Sequence, residues 1–119
     1  AAVVMTREAF DLWLAKQAEP AQPPTTELQQ TGQQAFLANG CGACHQVRGT
    51  EADGTVGPDL THVGSRLTLA AGTLPTDVDT FKRWIGHSGA IKPGVKMPAF
   101  GMLPEAQLNA MAHYLKGLE

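Results

Sequence analysis

Two cysteines and a histidine lie together in the stretch Cys41-Gly-Ala-Cys44-His45. Two thiols three positions apart can each add to one vinyl group of a porphyrin, provided that both sulfurs lie on one side of a tight turn. A histidine directly after the second thiol is then held beneath the iron, where its imidazole can act as the proximal ligand. The small residues Gly42 and Ala43 allow such a turn to lie against the ring. The spacing therefore predicts covalent attachment of a haem c through Cys41 and Cys44, with His45 as an iron ligand.

Two other kinds of site use the same cysteine spacing. A dithiol redox motif of the thioredoxin sort needs a preceding strand and a βαβ unit, and the sequence around Cys41 predicts neither. A zinc site would need further ligands, and because the chain has only 2 Cys these would have to be histidines. Haem attachment is therefore the hypothesis that we prefer.

The composition is that of one globular domain with few large core side chains. The chain has 119 residues, of which 43% are hydrophobic, 17% charged and only 6% aromatic. A covalently bound haem would supply apolar bulk that the side chains lack. The formal net charge of -2 predicts no binding to nucleic acid. The sequence contains no apolar run of the roughly 20 residues that a membrane-spanning helix needs.

Local composition divides the chain into three segments. Three prolines in residues 17–26 predict an extended, semi-rigid linker, and we place the domain boundary there. Residues 1–16 begin with a short apolar run, which predicts the end of a strand, and continue with Phe10 and Trp13 at helical spacing. Because this aromatic pair is more than a free tail needs, we expect the helix to pack on another surface. Residues 27–119 form the domain that carries the cysteine motif.

Three main helices are predicted within residues 27–119. The first covers residues 27–38, and the second covers residues 77–86 with Thr76 as its cap. The last begins at Pro104, because proline suits the first position of a helix. The segments between them are rich in glycine and proline and predict loops. The predicted fold class is therefore all-α.

The sixth ligand of the iron has to be chosen among 4 Met and 4 His. Met97 lies in a loop bounded by prolines, and such a loop can present a thioether to the far face of a haem that His45 holds. Met102 is the rival, whereas Met111 lies in the apolar stripe of the last helix and is predicted to be core. The bis-histidine alternatives are His62, His87 and His113.

Three further residues are candidates for the surroundings of the haem. The carbonyl of Pro58 follows His45 at a distance along the chain that lets it accept a hydrogen bond from Nδ1, which would fix the tautomer of the ligand. Arg66 and Trp84 could each donate to a haem propionate, because a carboxylate attracts a guanidinium and an indole N–H. The simpler interpretations are a turn proline, a surface arginine and a core tryptophan.

Taken together, these motifs resemble those of a class I cytochrome c. The matching residues are Gly32, Phe36, Cys41-x-x-Cys44-His45, Gly57-Pro58-Asp59-Leu60, Trp84, Lys96-Met97-Pro98 and Tyr114-Leu115. The resemblance implies an all-α fold with three main helices and short turns around one covalent haem c. It also implies that the first and last helices cross at Gly32, with Phe36 and Tyr114 packed at the crossing. His45 and Met97 would be the two axial ligands.

A closer resemblance extends to the beginning of the chain. Residues 2–14 resemble the last strand and terminal helix of the copper domain of cytochrome c oxidase subunit II. The run from Gly57 to Arg66 resembles the cytochrome c domain that is fused to this subunit in caa3-type bacterial oxidases. The resemblance implies that residues 1–16 complete an upstream copper domain. The dinuclear copper (CuA) site would lie before Ala1, because the chain has no cysteines left to form it.

The resemblance implies electron transfer rather than bond chemistry. An iron with two axial ligands has no open position for oxygen, and methionine ligation favours the ferrous state. The domain would accept electrons from a soluble periplasmic carrier and pass them to CuA. It would lie on the outer face of the bacterial cytoplasmic membrane, tethered through its parent subunit beside the other oxidase subunits. It would not itself be catalytic, but would be part of an oxygen-reducing, proton-pumping complex.

Two alternatives to this function stay open at the level of the sequence. The first is a free-standing periplasmic cytochrome c, whose initial residues are only a tail. The second is a haem enzyme or gas sensor with an open distal site. A five-coordinate iron would distinguish the second from an electron carrier, because only an open position binds carbon monoxide readily.

Overall fold

The computed structural model describes residues 3–70, 72 and 74–119, and helices predominate in this part of the chain. The helices are α1 (Arg7–Ala18), α2 (Glu27–Ala38), α3 (Val78–Ile91) and α4 (Glu105–Lys116). Single 3-10 turns and one short antiparallel strand pair complete the order: turns at Cys41–Ala43 and Val63–Ser65, β1 (Thr68–Leu69) and β2 (Leu74–Pro75). The predicted all-α fold with three main helices after the linker is confirmed. No helix among the described residues has the length and apolar character needed to cross a membrane.

The crossing of α2 with α4 lies at the centre of the fold. Gly32 is buried there, and a Cβ added to it would lie only 1.9 Å from the carbonyl oxygen of Ala110. The rings of Phe36 and Tyr114 pack edge to face beside this contact, with their centroids 5.7 Å apart. The predicted crossing at Gly32 is therefore confirmed, and the missing side chain explains how the two backbones come so close.

The ends of α2 determine where the cysteine motif begins. Thr26 and Gln29 form a capping box, in which each side chain accepts from the backbone N–H of the other. At the opposite end, Asn39 donates through its side-chain amide to Gln107 on α4 (3.2 Å). Gly40 then adopts a positive φ of 79°, which reverses the chain immediately before Cys41. The motif is thus held at the C-terminal end of α2, next to the start of α4.

Apolar side chains from α2, α3 and α4 form one core. Met111 is 1% exposed within it, so the prediction that this methionine is core rather than ligand agrees with its position. The other large members are Phe36, Leu69, Phe81, Ile85, Leu108, Tyr114, Leu115 and Leu118. The apolar stripe predicted for the last helix therefore faces this core.

The bounds predicted for the helix over residues 77–86, which is observed as α3, are wrong at both ends. Asp77, not Thr76, is the N-cap, and its carboxylate accepts from the backbone N–H of Thr80 at 2.7 Å. Asp and Thr are both good caps, and only the backbone conformation decides between neighbours. The helix also continues past residue 86, through a kink at His87, to Ile91. Buried Ser88 lies beyond the kink, so tertiary packing extends the helix where local sequence predicts its end.

The strand predicted at the beginning of the chain does not form within the described residues, and as the last strand of an upstream copper domain it stays a prediction. Residues 3–6 have no regular secondary structure, and Val4 is 96% exposed. A strand needs a neighbouring strand for its hydrogen bonds, and none lies beside residues 3–6 in the described part of the chain. Ala2 lies outside the described residues. The helix predicted next is present as α1, capped by Thr6.

Replacing Gly32 by alanine should destabilise the fold strongly. The new methyl group would collide with backbone atoms of α4, which cannot move without opening the crossing, so we expect a loss of about 3 kcal/mol in the free energy of unfolding. Chemical denaturation followed by circular dichroism would measure this loss.

Gly89→Ala is the matched control, because nothing lies within 4 Å of a Cβ at that position of α3. This variant should be unchanged or more stable by up to about 1 kcal/mol. Equal effects of the two substitutions would contradict the close packing of α2 on α4.

Candidate haem-attachment site

The cysteine motif folds as one tight turn directly after α2. The backbone N–H groups of Cys44 and His45 both donate to the carbonyl oxygen of Cys41, at 3.2 and 2.9 Å. Cys41 is half-buried against the core, Cys44 is exposed, and both thiols are free. This geometry brings the two cysteines and the histidine into a single turn, as attachment of a porphyrin requires.

The surroundings of the thiols do not suit a dithiol redox site. Burial raises the pKa of the Cys41 thiol above its ordinary value, and the neighbouring Cys44 adds to this effect. A redox dithiol needs the opposite, a lowered pKa that favours the reactive thiolate. The element before the motif is the helix α2 rather than a strand. Both observations disfavour the thioredoxin-like interpretation.

The zinc interpretation also lacks the ligands that it needs. Within the described residues, no three His, Cys, Asp or Glu side chains lie close enough together to hold a metal ion. The histidines that would have to complete such a site are therefore not placed beside Cys41 and Cys44. A single imidazole beside two thiols is instead the donor set of a haem attachment site.

The loop of residues 46–60 returns to the motif and packs against it. Gly54 donates through its backbone N–H to the carbonyl of Gly42 (3.0 Å), and Gly57 donates to that of Cys44 (2.7 Å). A Cβ at Gly57 would lie 2.6 Å from Cε1 of His45, so the loop backbone lies directly against the imidazole. The ring is thereby confined on one side by the chain itself.

The hydrogen bond of His45 leaves one ring nitrogen available. Its Nδ1 lies 2.8 Å from the carbonyl oxygen of Pro58. Because a carbonyl oxygen can only accept, Nδ1 carries the proton and donates it, and the lone pair of Nε2 remains free for a metal. Such a bond also orients the ring and makes the ligand more basic. Two free thiols and an imidazole whose Nε2 is free to bind iron fit the attachment of a haem c.

The other predicted site residues, Arg66, Trp84 and Met97, lie outside the cysteine turn. Arg66 is exposed, and its guanidinium donates to the carbonyl of Asp59 (2.6 Å), next to Pro58. Trp84 is half-buried on α3, and Met97 is half-buried in the loop that follows α3. No hydrogen bond among the described residues joins Trp84 or Met97 to the cysteine turn. Their roles, and that of Arg66 toward a propionate, stay predictions.

Asp59 is a residue of this region that the sequence reasoning missed. Its carboxylate accepts from the backbone N–H of Thr61 (2.9 Å) and from the Thr61 hydroxyl, and it lies 3.4 Å from Nε of Arg48. Burial opposes ionisation of this carboxyl, but the two hydrogen bonds and the charge of Arg48 outweigh it and lower its pKa. The Asp-x-Thr spacing was the available signal, because an aspartate often bonds the backbone two residues on.

Residues 29–119 match the family model for cytochrome c, which is about three quarters of the chain. The chain therefore belongs to the cytochrome c family. The predicted cytochrome c domain is confirmed, and with it a haem c as cofactor and electron transfer as the general role.

Several oxidase subunits are similar to this chain over nearly its whole length. Cytochrome c oxidase subunit 2 of Alkalihalophilus pseudofirmus is 32% identical over 117 residues, which cover 98% of this chain and 33% of that protein. The same subunit of Bacillus subtilis is 30% identical and that of Bacillus sp. strain PS3 is 29% identical, each over 97% of this chain and 33% of the relative. The chain thus spans about a third of the length of these relatives. The similarity includes the residues before 29 that the family model does not reach.

The lowered pKa of Asp59 makes a pH-dependent contribution to stability. An acid whose pKa is lower in the folded state stabilises the fold above its ordinary pKa, here 3.8, and loses this effect as the pH falls through the lowered value. Asp59→Asn should therefore be less stable than the parent protein at pH 7. The difference should shrink below about pH 4, as thermal unfolding at a series of pH values would show.

Thr61→Val tests the cause of this dependence. It removes the hydroxyl that donates to the Asp59 carboxylate, so it should reduce the pH-dependent part of the stability without abolishing it. If the difference between Asp59→Asn and the parent stayed constant down to pH 2, the carboxylate contacts would not be its source.

Proposed function

We propose that this domain carries single electrons from a soluble donor protein to the CuA centre of a cytochrome c oxidase. The carrier would be one haem c, covalently bound through Cys41 and Cys44, with His45 and Met97 as axial ligands. The observation that supports this most directly is the hydrogen bond from His45 Nδ1 to the Pro58 carbonyl, which leaves Nε2 free to bind iron. When bound, the haem supplies a one-electron centre.

The protein contributes to electron transfer by holding the proposed iron ligand and the cysteine turn in place. His45 is held by Pro58 on one ring nitrogen and is confined by the backbone of Gly57, so its ring is fixed in one orientation. The turn that contains Cys41 and Cys44 is fastened to the loop of residues 46–60 by backbone hydrogen bonds. A site that needs little rearrangement suits electron transfer, because the chain does not have to move when an electron arrives or leaves.

Among the methionines, the surroundings favour Met97 as the second ligand. Its loop is anchored to α3, because buried Ser88 donates through its hydroxyl to the Met97 carbonyl at 3.0 Å. The rival Met102 is 76% exposed, and Met111 is part of the core. An anchored loop can hold a thioether in one place, as an axial ligand requires.

Among the histidines, His62 is poorly suited to bind iron. Its two ring nitrogens lie 2.8 Å from the carbonyl of Glu19 and 3.1 Å from that of Glu119. A backbone oxygen therefore lies beside each ring nitrogen, where a metal ion would have to bind. The exposed His87 lies at the kink of α3, and the half-buried His113 lies on α4. Neither has a hydrogen bond among the described residues that would orient its ring as Pro58 orients His45.

Residues 1–16 support the proposal of an upstream copper domain. The relatives are about three times as long as this chain, and their similarity extends into this segment. Within the described residues, α1 buries no side chain, and Phe10 stacks on Trp13 (5.9 Å) while both stay exposed. A helix with an exposed aromatic pair suits one that completes another domain. We therefore propose that residues 17–26 link a copper domain to the cytochrome domain, residues 27–119.

This arrangement implies a location and partners. The domain would face the periplasm or the outer side of the bacterial cytoplasmic membrane, tethered through its parent subunit. It would lie beside the CuA domain and the other oxidase subunits. The haem domain would deliver electrons, and the reduction of oxygen would take place elsewhere in the complex.

Met97→Ala tests both the ligand and the function. The haem should remain attached through the cysteines, but the iron should lose its low-spin spectrum and the reduced protein should bind carbon monoxide. The reduction potential should fall by at least about 0.1 V, within the range of about 0.8 V that axial ligands span. Visible spectroscopy and potentiometric titration of the purified protein would measure these changes.

Met102→Ala is the matched control for Met97→Ala. Its side chain is exposed, so the variant should keep the parent spectrum and potential. The reverse pattern would make Met102 the ligand. An unchanged spectrum in both variants would move the sixth ligand to a histidine and remove the support for a high-potential carrier. An open distal site in the parent protein would contradict electron transfer by a six-coordinate iron.

Docking of the electron donor should depend only weakly on salt. From residue 25 onward the chain has seven Lys or Arg and eight Asp or Glu, so the cytochrome domain is almost neutral. Near neutrality predicts little electrostatic steering, and the rate of reduction by a soluble reduced cytochrome c should change by less than about threefold between low and physiological ionic strength. Stopped-flow absorbance would measure this rate.

Lys92→Gln/Lys96→Gln is the informative variant for docking, since these two exposed lysines could form a local basic patch. Its rate should stay close to that of the parent protein. A tenfold or steeper fall of the parent's rate with salt, lost in this variant, would show that docking is electrostatic.

A further inference from the structure

The first half of the linker is fastened to the cytochrome domain. We call residues 17–21 the strap. The guanidinium of Arg48 donates to the carbonyls of Gln17 (2.6 Å) and Ala18 (2.9 Å). These are the last two residues of α1, where carbonyls lack partners within the helix and where a positive charge is favourable. Arg48 therefore caps the C-terminal end of α1, which lies thirty residues earlier in the chain.

Each of the next three strap residues also contacts the domain. His62 donates through Nε2 to the carbonyl of Glu19 (2.8 Å), and Ala21 donates through its backbone N–H to the carbonyl of Arg48 (2.8 Å). A Cβ at Gly49 would lie 3.2 Å from Cβ of Pro20, so the proline packs on the loop backbone there. The strap is thus in contact along its whole length, whereas a Pro-rich linker alone would be only semi-rigid.

Arg48 connects the strap to the surroundings of His45. Its Nε lies 3.4 Å from the carboxylate of Asp59, and its backbone N–H donates to the hydroxyl of Thr61 (2.9 Å). Asp59 directly follows Pro58, whose carbonyl accepts from His45. A short series of contacts therefore joins the end of α1 to the predicted iron ligand.

We propose that Arg48 is a positioning residue that fixes α1 at one place relative to the haem-attachment turn. Its planar guanidinium is suited to this role, because its fork reaches two carbonyls and a carboxylate at once. If α1 belongs to the copper domain, the strap also fixes the separation and orientation of the two redox centres. This second step rests on the proposed function, whereas the fixing of α1 does not.

A distance measurement tests the first step. A nitroxide label is attached to the Leu12→Cys variant of the haem-loaded chain, at a position that is 74% exposed on α1. Pulsed electron paramagnetic resonance then gives the distribution of distances between the label and the ferric iron. The parent should show one narrow distribution, and adding Arg48→Gln should broaden it while the visible spectrum stays unchanged. An equally narrow distribution with Arg48→Gln overturns the proposal.

Trypsin cleavage after Lys16 gives a second measurement. The bond between Lys16 and Gln17 lies at the start of the strap and is cleaved when the strap opens. Because Arg48 makes two charge-assisted hydrogen bonds to the strap, Arg48→Gln should raise the cleavage rate roughly ten- to hundredfold. An unchanged rate contradicts the role of Arg48.

Two further variants make both measurements decisive. Arg83→Gln is the matched control, because it removes a guanidinium paired with Asp79 (3.4 Å) on the surface of α3 and should leave distances and cleavage as in the parent. Arg48→Lys keeps the charge but not the fork, so it should give an intermediate result. If Arg48→Gln fails to hold haem, Arg48→Lys decides: a loosened strap supports the proposal, and a parent-like one overturns it.

The second step is tested separately in the full-length subunit. Electron transfer falls steeply with distance, so Arg48→Gln should slow the reduction of the copper centre by the haem. An unchanged rate beside a broadened distance distribution overturns the second step and leaves the fixing of α1 intact.

Discussion

The contact of α2 with α4 at Gly32 determines where the chemistry of this protein can lie. The two helices approach so closely that even a methyl group at Gly32 would overlap the backbone at Ala110. This contact fixes the C-terminal end of α2, which Asn39 ties to α4. The turn at Cys41 begins two residues later, so the helix crossing also fixes the position of the attachment site. A small domain with few aromatic residues thus places its reactive residues at the end of a helix that this close contact holds in place.

The loop after the cysteine turn orients His45, the predicted iron ligand. Three of its residues lie against the turn: Gly54, Gly57 and Pro58. The glycines allow backbone to contact backbone, and the Pro58 carbonyl selects the tautomer of His45. The same loop continues into Asp59, whose ionised carboxylate is held by Thr61 and Arg48. The loop of residues 46–60 therefore carries both Pro58, which orients the ligand, and Arg48, which holds the end of α1.

The errors of the sequence reasoning have a common physical origin. Asp77 rather than Thr76 caps α3, because the choice between adjacent caps depends on which backbone lies outside the helix. Helix α3 continues to Ile91, because buried Ser88 bonds the loop of Met97. The linker predicted over residues 17–26 stays a prediction, but the sequence did not indicate that Arg48 bonds its first residues to the domain. In each case the outcome depends on a residue that is remote in sequence or on a backbone angle, and local composition shows neither.

The sequence by itself determined the attachment motif, the helical class and the crossing at Gly32. The motif and the helical class depend on short-range spacing, whereas the crossing at Gly32 was implied by the resemblance to class I cytochromes c. The family model for cytochrome c matches residues 29–119, the part of the chain that contains these features. The sequence named the Pro58 carbonyl as a candidate partner of His45 Nδ1, and the tertiary structure decided between this bond and a simple turn proline. Only the tertiary structure decided that contacts with Thr61 and Arg48 lower the pKa of Asp59. It also decided that Arg48, which follows the linker in sequence, donates to the last carbonyls of α1. Hydrogen bonds between such distant residues exist only once the chain has folded.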